Sequence, residues 1–381
     1  MRRRETTGSV HLVRNPNLAP NAPLAVQAAD PSRVALLLNR NARLVTDKLA
    51  LSLEHLVGRD NFFYSKSLEE AEAFCRELVQ RGYGTIVCGG GDGTMIRAVN
   101  LARRYIKEAN AWRTERFERY AEPQTLLGAP RFALLPLGTG NGLRRLVGAG
   151  DPTEDLRHLI DFAPRRILEL PMIEDDSECF VFGGMGYDSV LLNDYDWLKQ
   201  RTHNPLLKPM MHSVLGYFAA LLSRTLPRVL AGKNPPVEAR IVTDEMAYYV
   251  DPRRGDRVAE VAAGTVLFDG LASNIAMSTS SFYGYNFKMF PFAGLLPGYM
   301  QLRVAQIGAL RCLAHLPGLW LGHYRNPKLI FDFLVKKIRI ELCTAYPFQH
   351  SGDDKGPRDH LNLRIAEDTL KLVDFHRSRP F

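Results

Sequence analysis

Cysteine is scarce and scattered in this chain. There are five in 381 residues, Cys75, Cys88, Cys179, Cys312 and Cys343, with no Cys-x-x-Cys pair. That spacing indicates neither a zinc site nor a disulfide framework and fits a reducing cytoplasm. The histidines show no ligand spacing either. No apolar run reaches the length of a membrane span, and the basic start Arg2-Arg3-Arg4 leads into no apolar signal segment. A soluble or peripheral protein is expected. Acidic residues are outnumbered, 41 against 49 Lys and Arg, for a net charge of +8. The imbalance favours anionic partners such as nucleotides, nucleic acid or acidic lipid headgroups, and charge alone does not choose among them.

What is present is an ordinary globular composition, 46% hydrophobic and 24% charged, in a chain long enough for two domains. Residues 1–31, rich in Pro, Asn, Ala and Arg without a sustained period, suggest a flexible lead-in. Order is expected from Arg33. Val34 to Leu38 is a continuous apolar run suited to a strand buried on both faces, and Asn39-Arg40-Asn41-Ala42 turns away from it. Thr46 is a plausible cap for a helix over Asp47 to Val57. A strand over Asn61 to Tyr64, a helix over Leu68 to Arg81 and a strand over Thr85 to Cys88 complete a β-α-β-α-β pattern. Such alternation implies a parallel sheet with ligands at the carboxyl ends of its strands.

The third of these strands runs into Gly89-Gly90-Gly91-Asp92-Gly93-Thr94 and then a helix-competent segment. Strand, glycine loop and helix in that order suggest a phosphate cradle, because glycine lets backbone N–H groups approach an anion at the positive end of the helix. Asp92 is the oddity: a carboxylate there repels phosphate unless a cation intervenes or it handles a proton. A basic, aromatic stretch follows from about Arg103 to Tyr120, either a solvated helix extension or a lid or membrane-surface element. Another buried-type strand, Arg131 to Pro136, leads into Leu137-Gly138-Thr139-Gly140-Asn141-Gly142, a second glycine loop. Two such loops on adjacent parallel strands could grip opposite sides of one polyphosphate.

From about Arg166 the alternation gives way to strand-type segments, which predicts an antiparallel β-rich domain, a sandwich, over 166–361. The nucleotide-binding α/β domain then covers 32–165. Two apolar helical segments, Leu206 to Leu226 and Ile307 to His323, interrupt the strands. They are read either as core packing or as the wall of a lipid pocket or a membrane-contacting surface.

Gly90-Gly91-Asp92-Gly93-Thr94 followed by Leu137-Gly138-Thr139-Gly140-Asn141 resembles the catalytic domain of the diacylglycerol kinase and sphingosine kinase superfamily of lipid kinases. Asn39-Arg40-Asn41-Ala42 is similar to that family's turn after the first strand, and Ser65 stands where the family often has a nucleotide-contacting Thr. Phe182-Gly183-Gly184-Met185-Gly186-Tyr187-Asp188 resembles the segment that opens the second domain. The resemblance spans roughly Arg33 to Asp374 and implies that 362–381 returns to the first domain. It implies an NAD-kinase-like nucleotide fold, ATP and Mg²⁺ as cofactors, and a lipid hydroxyl as phosphate acceptor at the inner face of a membrane, with no role for nucleic acid.

On that basis Asp92 is assigned to the surroundings of Mg²⁺ and nucleotide, the backbone of Gly90, Gly91, Gly93 and Thr94 to the phosphates, and Asn39, Ser65, Gly138, Thr139 and Asn141 to other parts of the nucleotide. Gln349-His350-Ser351-Gly352-Asp353-Asp354 resembles the family's C-terminal Asp-Gly-Glu, so Asp353 is the candidate general base, against the alternative of an exposed turn. Asp188 lines the acceptor site or has a structural role. Three departures stand out. Pro297-Gly298 replaces the family's structural-metal Asp-Gly, Gly142 replaces an Asp, and Arg97 replaces a Glu; Arg97 either meets phosphate or acidic lipid or is a surface cation. Diacylglycerol is the leading acceptor, a sphingoid base or ceramide the next. An NAD kinase and an inactive lipid-binding regulator remain as alternatives, the latter because Ser351 stands where the family has Asp.

Overall fold

The computed structural model describes residues 27–376 apart from 121–124, 163–165, 203, 205–206, 212 and 256–257. Most of the expected lead-in and the last five residues of the expected return therefore lie outside the described residues.

The first half alternates: β1 (Asp30–Asn39), α1 (Asp47–Val57), β2 (Phe62–Ser65), α2 (Leu68–Gln80), β3 (Tyr83–Gly90), α3 (Asp92–Tyr120), β4 (Arg131–Pro136) and α4 (Pro152–Asp161). All four strands are parallel, in the order β4-β3-β1-β2. Their middles are apolar and fully covered, Leu36 to Leu38 and Ile86 to Cys88 among them, as a sheet flanked by helices on both faces requires. The helices start where the local chemistry allows. Thr46 accepts from Leu49 N–H and Ser67 from Glu70 N–H, each capping the first turn. α3 absorbs the stretch from Arg103 to Tyr120 into one continuous helix. No Pro or Gly interrupts the sequence after Gly93, and Ala, Arg and Glu recur throughout it.

The second half comprises β5 (Ile167–Glu174), β6 (Cys179–Phe180), β7 (Phe182–Gly186), α5 (Tyr187–Arg201), α6 (Lys208–Met211), α7 (Val214–Ala220), a π-helical turn (Leu221–Thr225), α8 (Leu226–Leu230), β8 (Val237–Thr243), β9 (Ala247–Val250), β10 (Val258–Val261), β11 (Val266–Ala272), β12 (Asn274–Ser278), β13 (Met300–Ala305), α9 (Ala309–Ala314), α10 (Leu316–Trp320), β14 (Ile330–Val335), β15 (Lys337–His350) and β16 (Asp353–Val373). It is an antiparallel, strand-rich domain, with the order β10-β9-β14-β13-β12-β7-β15-β16. β15 and β16 form a long hairpin. β15 pairs with β8 near its start and with β7 near its end, and β16 pairs with β5 and lies parallel to β4 at Leu372 and Phe132. One backbone ladder therefore joins both halves over a shared apolar core.

Under the strand-rich sheet sits a buried ion pair. Arg303 Nε and Nη2 donate to Asp332 at 2.8 and 3.0 Å, Gln301 Nε2 donates to the same carboxylate at 2.6 Å, and Gln301 Oε1 accepts from Phe292 N–H at 2.8 Å. The network ties β13 and β14 to the loop between β12 and β13. The pair's side chains are 7% and 1% exposed, so its value lies in being complete: removing one partner strands the other charge in the core. Asp332→Ala is expected to lower unfolding stability by about 3–5 kcal/mol, measured by urea denaturation, with the double variant Arg303→Met/Asp332→Leu recovering most of the loss.

Candidate active site

The two glycine loops lie side by side because their strands do. β3 and β4 pair in parallel register through Gly89 with Leu135 and Gly90 with Pro136. Gly90 carbonyl oxygen then accepts from both Leu137 N–H (2.9 Å) and Gly138 N–H (3.0 Å). The contact is backbone on backbone: a Cβ on Gly138 would stand 2.4 Å from the Gly91 Cα. Asn141, in the left-handed region at φ 45°, donates its amide to the Pro136 and Gly138 carbonyls at 3.2 and 2.9 Å, closing the second loop on itself.

Asp92 fastens the pair together. Its buried carboxylate accepts from Gly142 N–H at 2.5 Å and from Leu143 N–H at 3.3 Å. Burial pushes its pKa up to about 6, against the pull of those two N–H groups. The carboxylate thus does structural work across fifty residues while also lining the cavity described below. Gly142, the position that departs from the family pattern, has a local reason. A Cβ there would lie 3.0 Å from the Tyr283 carbonyl oxygen, and the same loop donates Tyr285 N–H to Gly140 oxygen at 2.9 Å.

Asn39 and Thr94 meet, Asn39 Nδ2 donating to Thr94 Oγ1 at 3.1 Å, while Asn39 Oδ1 accepts from Asn41 N–H at 2.9 Å to shape the turn after β1. Ser65, register partner of Asn39, is buried and donates to the Leu38 carbonyl at 3.3 Å. It supports this end of the sheet and does not line the cavity. Thr139 is partly exposed on the cavity wall.

Asp188 opens α5. It is covered by Tyr283, whose hydroxyl donates at 2.6 Å, by Gln349 Nε2 at 3.2 Å and by Ser189 N–H at 2.8 Å. Burial raises its pKa and drives that of Tyr283 far up, so Tyr283 stays a neutral donor. The Gln349 amide also touches the Tyr283 hydroxyl. Neither Tyr283 nor Gln349 is evident as a site residue from sequence: Tyr283 lies 95 positions from its partner and in no motif, and Gln349 is only the edge of one.

The turn between β15 and β16 carries Asp353. Ser351 (φ 54°) and Gly352 (φ 83°) are left-handed, and this tight reversal brings the Asp353 carboxylate against Gly93, within 3.1 Å of where a Cβ would stand. Burial raises the pKa of Asp353, while the charges of Lys355, His350 and Arg97 pull it down. His350 and Lys355 are both held by Glu178, at 3.1 and 2.7 Å, and Glu178 is brought down to about 2, chiefly by the His350 hydrogen bond. Arg97 is exposed on α3, facing a groove shared with Asp353 and Lys355.

A single cavity of about 510 Å³ joins these parts. It starts at Gly91 to Thr94 and Thr139 to Asn141, passes Asp353, Asp188, Tyr283 and Gln349, and continues between apolar walls from α7, the π-helical turn, α8, α9 and α10. Of the sequence-nominated residues, Asp92, Gly91, Gly93, Thr94, Thr139, Asn141, Asp188 and Asp353 line it.

Paired glycine loops at the carboxyl ends of adjacent parallel strands, beside a strand-rich domain whose last strand returns to the sheet, are the architecture of a two-domain kinase. Residues 34–168 match the diacylglycerol kinase catalytic domain. Its fold is similar to the crystal structure of a diacylglycerol kinase from Bacillus anthracis strain Sterne, at 14% identity and a TM-score of 0.57, covering 90% of this chain and 97% of that one. Two further structures from the same organism align over the same shares at 16% identity, with TM-scores of 0.58 and 0.59. No curated protein sequence matches the chain.

The Asp92 clip has a pH signature. Its folded pKa lies above the usual 3.8, so the folded state binds the extra proton, and the stability that this proton supports is complete below about pH 4 and lost as pH rises through 6. Urea unfolding of the ligand-free protein should show a decline of up to about 3 kcal/mol across that window attributable to this group, and the decline should be missing from Asp92→Asn.

Proposed function

We propose that the protein transfers the γ-phosphoryl group of ATP to the hydroxyl of a lipid, with a diacylglycerol-like acceptor as the leading candidate. The observation that carries the proposal is the continuity of the cavity: polar glycine loops at one end, Asp353, Asp188, Tyr283 and Gln349 midway, and leucine and aromatic side chains beyond. A soluble acceptor has no use for the apolar half.

In this reading the N–H groups of the two loops and the start of α3 hold the phosphates. The acceptor hydroxyl loses its proton to the Asp353 carboxylate, its oxygen forms the new bond to the γ-phosphorus, and the bond from that phosphorus to the β–γ bridging oxygen breaks to release ADP. Asp353 needs hydrogen-bond reach to the hydroxyl, which its seat over Gly93 supports. Asp188, with Tyr283 and Gln349, orients the acceptor head. Mg²⁺ would enter bound to the nucleotide and neutralise phosphate charge. The donor set fits a cation carried in that way: among the described residues no three His, Cys, Asp or Glu side chains cluster as ligands, and Asp92, already accepting two N–H bonds, is the one carboxylate within the loops to face it. A nearby cation would favour the ionised form of Asp92.

Purified protein incubated with γ-labelled ATP, Mg²⁺ and a mixed lipid panel should yield a labelled lipid identifiable by mass. Asp353→Asn should reduce turnover about a hundredfold or more with little change in KM for ATP. Label appearing on NAD and on no lipid would overturn the reading.

A further inference from the structure

Residues 207–237 and 307–331 contain no Asp or Glu at all. In the fold these two stretches are neighbours, α8 meeting α9, and together they wall the apolar end of the cavity. Both present large apolar side chains in two directions. Val214, Leu221, Leu313 and Trp320 line the cavity, while Leu215, Leu222, Leu310 and Leu321 are 57%, 54%, 60% and 57% exposed. A helix that merely walls a cavity in a water-soluble protein turns polar on its outer side; these keep leucine there. The charges interspersed are cationic, with Lys233, Arg311 and Lys328 all exposed. No helix among the described residues is long and apolar enough to cross a bilayer.

We propose that this two-helix-pair face docks on the surface of an anionic phospholipid bilayer, its outer leucines entering the interface and its cations meeting the headgroups, so that the apolar end of the cavity faces lipid. The charge favours this occupant over a second copy of the chain, since a symmetric dimer through the same face would bring Lys233, Arg311 and Lys328 toward their own copies. The proposal rests on the lipid-acceptor reading only for what enters the cavity; docking itself requires no catalysis.

The test is co-sedimentation of the full chain, without nucleotide, with vesicles of phosphatidylglycerol and phosphatidylcholine in equal parts or of phosphatidylcholine alone. Wild type should bind the anionic vesicles about tenfold more tightly than the neutral ones, and the preference should fade as salt is raised. Leu222→Ser/Leu310→Ser/Leu321→Ser and, separately, Lys233→Glu/Arg311→Glu/Lys328→Glu should each lose at least tenfold in anionic-vesicle binding with unchanged circular dichroism and melting. Equal binding by wild type and both variants would overturn docking at this face, as would failure of wild type to bind either vesicle. A concentration-dependent dimer that the leucine variant dissolves would overturn it in favour of self-association. Lipid phosphorylation in detergent micelles without vesicle binding removes the docking proposal alone; vesicle binding through this face without phosphorylation of any lipid removes the kinase reading and leaves docking standing.

Discussion

Two N–H groups of one loop on a carboxylate of the other hold the site in shape. Gly142 and Leu143 reach Asp92 across fifty residues of sequence, adding a carboxylate clip to the backbone bonds that Gly90, Leu44 and Tyr285 make to the second loop. A charged group this deeply covered is costly unless it is well partnered. The fold meets that cost with two backbone donors, and the residual mismatch appears as a pKa near 6. Asp92 is therefore both a fastener and a group whose charge responds to what sits beside it. Removing the carboxylate abolishes both roles at once, because it also leaves the Gly142 and Leu143 N–H groups unpaired.

A second dependence runs through the β15–β16 hairpin. The strand that carries Gln349 pairs with β7 beside Asp188, and the strand that begins at Asp353 ends against β4, the strand from which the second loop springs. Asp353, the Asp188–Tyr283–Gln349 group and the second glycine loop are thus spaced by one ladder of backbone hydrogen bonds rather than by loops. Such spacing is stiff, which is what positioning a hydroxyl against a phosphorus demands.

Much of this was legible before any coordinates. The parallel half declares itself through short apolar runs followed by glycine or asparagine turns, and β4 spans the residues expected of it. The strand-rich half is legible in kind, antiparallel and short-stranded, but β10 and β14 carry no clear strand signal of their own. The Val258–Val261 strand, Val-Ala-Glu-Val, is too short to show a period, and Ile330–Val335 has Asp332 in its middle, a residue that reads as a turn until Arg303 is found across the ladder. The whole length of β16 was also hidden, because Gly356 and Pro357 interrupt its alternation and pairing with β15 overrides them. In the site, the residues that announced themselves did so through glycine and asparagine, whose backbone freedom is local. Tyr283 did not, since its role comes from Asp188, far off in sequence. The apolar helices were ambiguous for a sound reason: the same leucine content serves a core, a cavity wall or an outer face, and only the fold assigns which side each residue takes.

The close approach at Gly142 also bears on how such a protein can change by single steps. With the Tyr283 carbonyl 3.0 Å from where a side chain would begin, a side chain at position 142 requires that loop to give way by a few tenths of an ångström. The loop in turn is anchored at Gly140 and through the Tyr283 hydroxyl at Asp188. An aspartate at 142 would press on the 283–285 segment, and through Tyr283 on the cover over Asp188. The second glycine loop and the 283–285 segment are therefore mechanically one unit, and a change at 142 is expected to be felt at 283–285.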